Sequence, residues 1–478
     1  MLFRFFRYFA FACLISSCLK MSETEQRENM LEEPTLSHSV EKSLQSPYFS
    51  IGAWPDVRWW ETFGSAKLNQ LIAEALEKNP TIQNVRMRIE LAKQKAISAR
   101  SKLYPLVYFV GDGTWEFVSK QGLEEAYNPA FPRHAHIIDL TLTFDYEFDF
   151  WDKYRNLYRA ALGREEAEKA ELAQAELITA TSLARIYFAL TTNQIKKVIY
   201  RNLYEVRRKI ALLRQLLLDE AIDDMRIVLL ANERAERAQQ WCNSIEEELE
   251  IDRHMLNVLI GKGPDEAIEV DAKLVILPEK LAIPKTVSLD LLSRRPDLMA
   301  QLWRLEALAH DVGAARANFF PNINLSALLG LSSTIYNMLF NQSSYEQGIT
   351  PTISLPIYTA GDIQATLDAK RAEYQSAVFV YNDMILKSVS EVADALSVAK
   401  AVYANRVQQD AIVGCAAKRL GLANDRLKSG LDNALETLHK QEELLEAQLA
   451  QMDFEYSQYA AAISLIRALG GGYEAAHE

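Results

Sequence analysis

Ile138-Asp139-Leu140-Thr141-Leu142-Thr143-Phe144-Asp145-Tyr146-Glu147-Phe148 alternates apolar and polar residues without a miss. A period of two is what a strand with one dry and one wet face requires. A run of about 11 residues is also the length of a tilted membrane strand. The pattern returns later in the chain, where Ile323, Leu325, Ala327, Leu329 and Leu331 alternate with mostly polar or small residues, as do Ile349, Ile353, Leu355 and Ile357. Residues 106–117 are a weaker fourth candidate, so each half of the chain carries one hairpin, with Asn128 to Arg133 and Tyr336 to Gly348 as loops.

Upstream of both hairpins lies a second correspondence, at a constant offset of 216 residues. Asn79-Pro80, Ala99-Arg100 and Tyr104-Pro105 match Arg295-Pro296, Ala315-Arg316 and Phe320-Pro321. The first proline of each set suits the first turn of a helix. Pro105 and Pro321 then open the strand-like segments. An offset this long exceeds an ordinary solenoid unit and implies a duplicated half-molecule.

Downstream of the first hairpin, residues 164–260 contain neither Gly nor Pro. A single helix of that length would span roughly 145 Å, so a fold-back is expected. Ile199, Leu203, Val206, Ile210, Leu213 and Leu217 keep the 4-3 spacing of a coiled-coil seam. The acidic patch Asp219-Glu220 and Asp223-Asp224 breaks that seam and places the turn there. In the second half the break falls at Ser429-Gly430, and Leu445, Leu449, Met452, Tyr456, Tyr459, Ile463 and Ile466 restore the spacing.

Composition narrows the class. The 478 residues are 49% hydrophobic and 24% charged, which excludes wholesale disorder. A formal net charge of -12 argues against sequence-independent nucleic-acid binding. Arg4 and Arg7 flank the apolar stretch from Tyr8 to Ile15, the plan of a secretory signal over residues 1–17. Ile15-Ser16-Ser17-Cys18 resembles the bacterial lipobox, which implies lipid on Cys18, and Leu19 in place of Asp favours outer-membrane sorting by the same resemblance. An ordinary signal peptide that contains a cysteine stays open beside it. Cys242 and Cys415 read as isolated thiols in helices, although an exported protein can form bridges. Residues 18–62, broken by Pro34, Pro47 and Pro55, read as an extended tether.

Four strands cannot close a membrane barrel, because edge strands would leave backbone groups unpaired in lipid. Single-chain bacterial barrels need at least about eight strands, whereas three copies of this chain would supply about twelve. A soluble sandwich is the other outlet for such strands. For an exported, lipid-anchored chain the shared barrel is the better fit.

Ser293-Arg294-Arg295-Pro296-Asp297, Gly313-Ala314-Ala315-Arg316-Ala317-Asn318-Phe319-Phe320-Pro321 and Leu469-Gly470-Gly471-Gly472-Tyr473 resemble signatures of the TolC-like outer-membrane factors, in their lipoprotein (NodT-type) branch. Asp149-Phe150-Trp151 and Pro356-Ile357-Tyr358 resemble the strand-to-helix junctions of that family. The resemblance covers roughly residues 54–473. It implies a mainly α fold of two tandem repeats, 63–280 and 281–473 with a tail at 474–478. It further implies a homotrimer whose helices form a periplasmic α-barrel below a twelve-stranded β-barrel. The expected role is the exit duct of a tripartite efflux system, with a periplasmic adaptor and an inner-membrane pump as partners and drugs or metal ions as cargo. Protein secretion is the alternative, and a lipid-anchored coiled-coil scaffold without a pore is the rival from another class. Asp152 and Ala221 stand where the family usually has Gly, and Asp362 where it usually has Arg.

The resemblance also places a gate at the tip of the second helical hairpin. Gly430 is followed six and nine residues later by Glu436 and His439, which three copies would stack as rings of carboxylates and imidazoles. Protonation of His439 in mild acid would partly cancel the carboxylate ring. Asp432 occupies a position where some members use a basic residue to link hairpins. Neither a phosphate-binding loop, a dinucleotide fingerprint nor an HExxH pair occurs, so no enzyme, metal site or cofactor is expected beyond the lipid. His134 and His136 read as solvent-facing loop residues.

Overall fold

The computed structural model describes residues 31, 36–117, 119, 121, 127, 134–268, 270, 273–285 and 287–474. The described chain opens with α1 (Ser37–Leu44), β1 (Phe49–Ile51) and a 3-10 turn (Trp59–Phe63). The first repeat follows as α2 (Ala66–Lys78), α3 (Pro80–Ser101), β2 (Leu106–Phe117), β3 (His134–Glu147), α4 (Lys153–Asp219) and α5 (Met225–Leu259). The second is β4 (Leu281–Ile283), α6 (Val287–Arg294), α7 (Pro296–Ala317), β5 (Asn322–Ser333), β6 (Tyr345–Ser354), α8 (Asp362–Lys428) and α9 (Ala434–Ala468).

The duplication is exact in the length of the three longer helix pairs. Helices α3 and α7 have 22 residues each, α4 and α8 have 67, and α5 and α9 have 35. The offset of 216 residues holds through the starts of β2 and β5 and drops to 209 from the starts of α4 and α8, because the second hairpin region is shorter. At 1.5 Å per residue each long helix runs about 100 Å.

Beside α4, helices α3 and α5 stand end to end, and the joint is capped by Asn79. Its Oδ1 accepts the N–H groups of Thr81 (2.8 Å) and Ile82 (3.3 Å) at the start of α3. Its Nδ2 donates to the carbonyl of Leu259, the last residue of α5, at 2.8 Å. Pro80 fits the first helical position because its missing N–H is one of the unsatisfied donors there. The equivalent joint between α7 and α9 is made by Arg295, whose Nη1 donates to the carbonyl of Ala468 at 3.3 Å. The two copies thus do one job with an amide and a guanidinium.

The strands form one antiparallel sheet in the order β2-β3-β5-β6. Register places Val107, Phe144, Ala327 and Ile349 in one row, with Phe109, Leu142 and Leu329 in the next row of the same apolar face. Asp145 and Ser326 pair on the opposite face, where the serine hydroxyl donates to the carboxylate at 2.7 Å. Among the described strand residues of this sheet none is buried, and β2 and β6 are open edges within the chain.

The core lies on one face of the helical layer. Trp59, Phe63, Leu68 and Ile72 pack with Tyr187 and Phe188 of α4 and with Tyr459 and Ile463 of α9. Phe188 and Tyr459 stack with ring centroids 4.0 Å apart. A second cluster joins Leu36, Val40 and Phe49 to Ile283 and Leu291, and to Val392, Leu396 and Tyr403 of α8.

Three sequence expectations change here. Residues 36–62 are not an extended tether: β1 pairs in parallel with β4, and Phe49 and Trp59 are buried. Prolines break local periodicity but leave these apolar side chains free to seal the helical layer. The second hairpin loop is shorter than Tyr336 to Gly348, since β6 begins at Tyr345 and ends at Ser354, before Pro356. His134 and His136 belong to β3 rather than a loop, and His136 stacks on Tyr336 at 4.6 Å. Cys18 and the Asn128 to Arg133 loop lie outside the described residues.

Candidate functional site

Both helical hairpins turn where the broken seams predict. Helix α4 ends at Asp219 and α5 begins at Met225, while α8 ends at Lys428 and α9 begins at Ala434. In each turn the chain closes with a hydrogen bond back into the helix, Ile222 N–H to Leu217 O at 2.8 Å and Leu431 N–H to Arg426 O at 2.9 Å. The residue before the closing donor must then be left-handed. Gly430 has φ 69° and Ala221 has φ 60°, so alanine occupies a backbone region that costs nothing only for glycine. Asp224 and Asn433 cap the returning helices, accepting from the N–H groups of Arg226 and Glu436, both at 2.9 Å.

The three residues expected at the gate, Asp432, Glu436 and His439, have separate partners. Asp432 accepts from Nε of Arg426 on its own hairpin at 3.2 Å. Glu436 lies 3.2 Å from Lys440, which also reaches Glu443 at 2.9 Å. These two carboxylates, Glu443 first, hold the Lys440 ammonium above its ordinary range. Glu443 is lowered in turn, by its hydrogen bond to Lys440 and the charge of nearby Arg419. The nearest carboxylate of His439 is Glu442, at 3.5 Å, rather than Glu436.

Glu442 belongs to a cluster that sequence reading missed. Arg207 of α4 donates through Nε to Glu442 at 2.7 Å, through Nη2 to Glu446 at 2.7 Å, and through Nη1 to the carbonyl of Arg234 at 3.4 Å. Its guanidinium lies 4.9 Å from the ring centre of Trp241 on α5. Only 7% of the Arg207 side chain and 9% of the Glu442 side chain reach solvent, so each charge depends on the other. The cluster ties the first helical hairpin to the second about three turns above the tips. Position 207 sits inside the 4-3 seam, where a charge is the one local signal that something polar must meet it from another helix.

At the other end, where sheet meets helices, aromatic residues gather. Trp151 stacks on Phe320 at 4.8 Å and donates its indole N–H to the carbonyl of Pro321 at 2.7 Å. Phe148 and Phe150 stack at 5.6 Å. Asp149 receives the N–H groups of Tyr154 (3.1 Å) and Arg155 (2.9 Å), while Asp152 takes φ 56° before α4. Pro105 and Pro321 precede the strands at this same level, and Pro80 and Pro296 open α3 and α7.

A bare sheet with an aromatic rim, set on helices about 100 Å long, defines a class of chain that builds a channel through the outer membrane. The sequence profile described as outer membrane efflux protein matches residues 71–262 and 287–471, one stretch per repeat, and the chain belongs to that family. It is 28% identical over 480 residues to the multidrug resistance outer membrane protein MdtQ of Escherichia coli O6:H1, covering 98% of each chain. It is 25% identical to the multidrug resistance outer membrane protein MdtP of Escherichia coli K12, covering 97% of this chain and 95% of that one. The crystal structure of the outer membrane protein VceC from Vibrio cholerae superposes with a TM-score of 0.76 at 30% identity, covering 88% of this chain and all of VceC. The Campylobacter jejuni CmeC outer membrane channel shares the fold, with a TM-score of 0.83 at 21% identity over 90% of each chain. The protein is an outer-membrane efflux channel and resides in the outer membrane.

Proposed function

We propose that three copies assemble into one passive exit duct for drug-like small molecules, energised by an inner-membrane pump through a periplasmic adaptor. One observation carries the assembly: a four-stranded sheet with both faces bare and both edges open. In lipid such edges must pair. Pairing β6 of one copy with β2 of the next closes a ring, with the row of Phe144 toward lipid and that of Asp145 toward water. The relatives' names support the cargo class. Mass measurement of the detergent-solubilised protein with single-channel recording tests the proposal. A trimer with stepwise conductance is expected, and a monomer without conductance overturns it.

In this reading Glu436 and His439 form the tip rings, Gly430 makes the turn beneath them, and the Arg207–Glu442 pair holds the two hairpins of a subunit together in the resting state. Lipid on Cys18 anchors the chain. The Leu31 N–H donates to Asn382 at 3.1 Å, about 20 residues or 30 Å below the membrane end of α8. The roughly 13 residues from Cys18 to Leu31 can extend about 45 Å, enough to reach the bilayer. Metabolic labelling with palmitate should mark the native protein and not Cys18→Ala; label on the variant would place the lipid elsewhere.

A further inference from the structure

The two faces of the helical layer are chemically distinct, and the bare one carries a recess that the duct itself does not require. Tyr187 of α4 is buried under the segment that includes Trp59 and Phe63. The Leu177 side chain of α4 packs on the backbone of Gly471 on this covered face, and about three turns further up α4 the same face carries Glu166. Arg164 and Glu168, two residues to either side, lie about 160° around the helix from that row. The covered face carries α1, α2 and α6, and three such layers would obstruct a duct from within. The opposite face therefore lines the lumen of the trimer proposed above, on which this inference rests.

On that lumenal face a cavity of about 450 Å³ opens between α3, α4 and α7. Its floor is apolar, with buried Ala161 and Ala167 of α4, its walls carry Leu91 of α3 and Leu308 of α7, and its rim carries Arg88, Lys95, Arg164 and Arg304. Glu168 is the sole carboxylate among the lining residues. Each arginine is tied by a terminal nitrogen, Arg88 to Glu168 at 2.8 Å, Arg304 to Glu171 at 2.6 Å, and Arg164 to Asp311. A guanidinium has five N–H donors, so these pairs leave donors available. Lys95 makes no ion pair among the described residues.

We propose that this recess binds amphiphilic organic anions, one per subunit, the apolar body on Leu91 and Leu308 and the anionic group among Lys95, Arg88 and Arg304. Its volume falls in the range of small-molecule sites. Each arginine is matched by one carboxylate, so Lys95 leaves an excess positive charge that favours an anion over a cation of the same shape, and planar guanidinium forks match sulfonate or carboxylate oxygens. The recess is a resting place along the duct, located below the sheet and above the Arg207 cluster.

The test uses full-length protein in nonionic detergent and in planar bilayers, with 1-naphthalenesulfonate and 1-naphthylmethylammonium as probes of like shape and opposite charge. Expected is a saturable partial block by the sulfonate and none by the ammonium at equal concentration. Lys95→Glu should weaken the block about tenfold, as loss of one charge-assisted contact does. Because Lys95 holds no ion pair, that variant should assemble normally, and Arg304→Gln serves as a second. Equal block by both probes, or block unchanged in both variants, overturns the proposal. Equilibrium dialysis of the sulfonate separates this site from the duct. Lys95-dependent binding without conductance would support the recess while contradicting the trimeric channel; conductance without charge-selective binding would do the reverse.

Discussion

The turn at residues 220–224 and the turn at 429–433 are one device built twice, and they differ in stored strain. Both use the same closing hydrogen bond and an Asp or Asn cap, yet one sets alanine at φ 60° where the other has glycine at φ 69°. The joints above them differ in chemistry instead: a buried Asn79 amide in one repeat, and in the other Arg295, which binds Asp297, Glu391 and the Ala468 carbonyl. Duplication kept the positions where backbone must be satisfied and released the residue types that satisfy it. The first tip holds strain in its backbone, while the second carries its distinctive groups, Glu436, His439 and Lys440, in side chains.

The comparison breaks most forcefully at the contact joining the two hairpins. Arg207→Ala leaves Glu442 buried without its partner and should destabilise the subunit by about 3–5 kcal/mol. A lower melting midpoint in detergent and a higher resting conductance are expected, and an unchanged midpoint would show that the cluster is not a clamp. Glu442→Gln alone, with Arg207→Ala in a double-mutant cycle, isolates the pair energy.

Next come the two joints. Arg295→Ala removes hydrogen bonds to two carboxylates and a carbonyl and should cost about 2–3 kcal/mol. Asn79→Ala loses the cap of α3 and the contact to Leu259, with a cost of about 1–2 kcal/mol. Equal losses at the two positions would contradict the view that one joint is charge-assisted and the other neutral.

Smaller again is the exchange at the tips. Ala221→Gly should stabilise by about 1 kcal/mol, and Gly430→Ala should destabilise by a similar amount. An added Cβ at Gly430 meets nothing within 4 Å, so its cost is backbone strain alone. The prediction fails if the two substitutions shift the melting midpoint in the same direction.

The smallest effect is electrical. His439→Gln, which replaces the imidazole 3.5 Å from Glu442 by a neutral amide, should change single-channel conductance only slightly. Glu443 is held below its ordinary range by Lys440 and Arg419, so its contribution is present above the ordinary carboxylate pKa and is lost only as pH falls through the lowered one. The Lys440 bridge therefore persists through neutral and mildly acidic pH. A large conductance change in His439→Gln would make the imidazole a principal part of the gate.

Much of the architecture was legible because it is periodic. Alternation from Ile138 to Phe148 identified a strand with two unlike faces, Pro80 and Pro296 marked equivalent helix starts, and the acidic patch after Leu217 placed the first turn. The candidate site was legible only in part. Gly430 announced a left-handed residue, but nothing local in Ala221 revealed that it takes the same conformation, because side-chain type does not report φ. Glu436 and His439 were recognisable as tip residues, whereas the pairing of Glu442 with Arg207 depends on how α9 is rotated against α4.

By itself the sequence determined the two-fold repeat, the period of every long element and the insufficiency of four strands, since hydrophobic spacing and backbone-restricting residues act within a few positions of themselves. Only the tertiary structure decided which distant groups meet. It sealed residues 36–63 onto the layer through β1 and β4, set Asn79 on Leu259 and Arg295 on Ala468, and buried Arg207 against Glu442. Those contacts join residues from separate helices, strands and repeats. No local pattern encodes them, because burial and charge pairing are settled by which faces the packed helices turn toward one another.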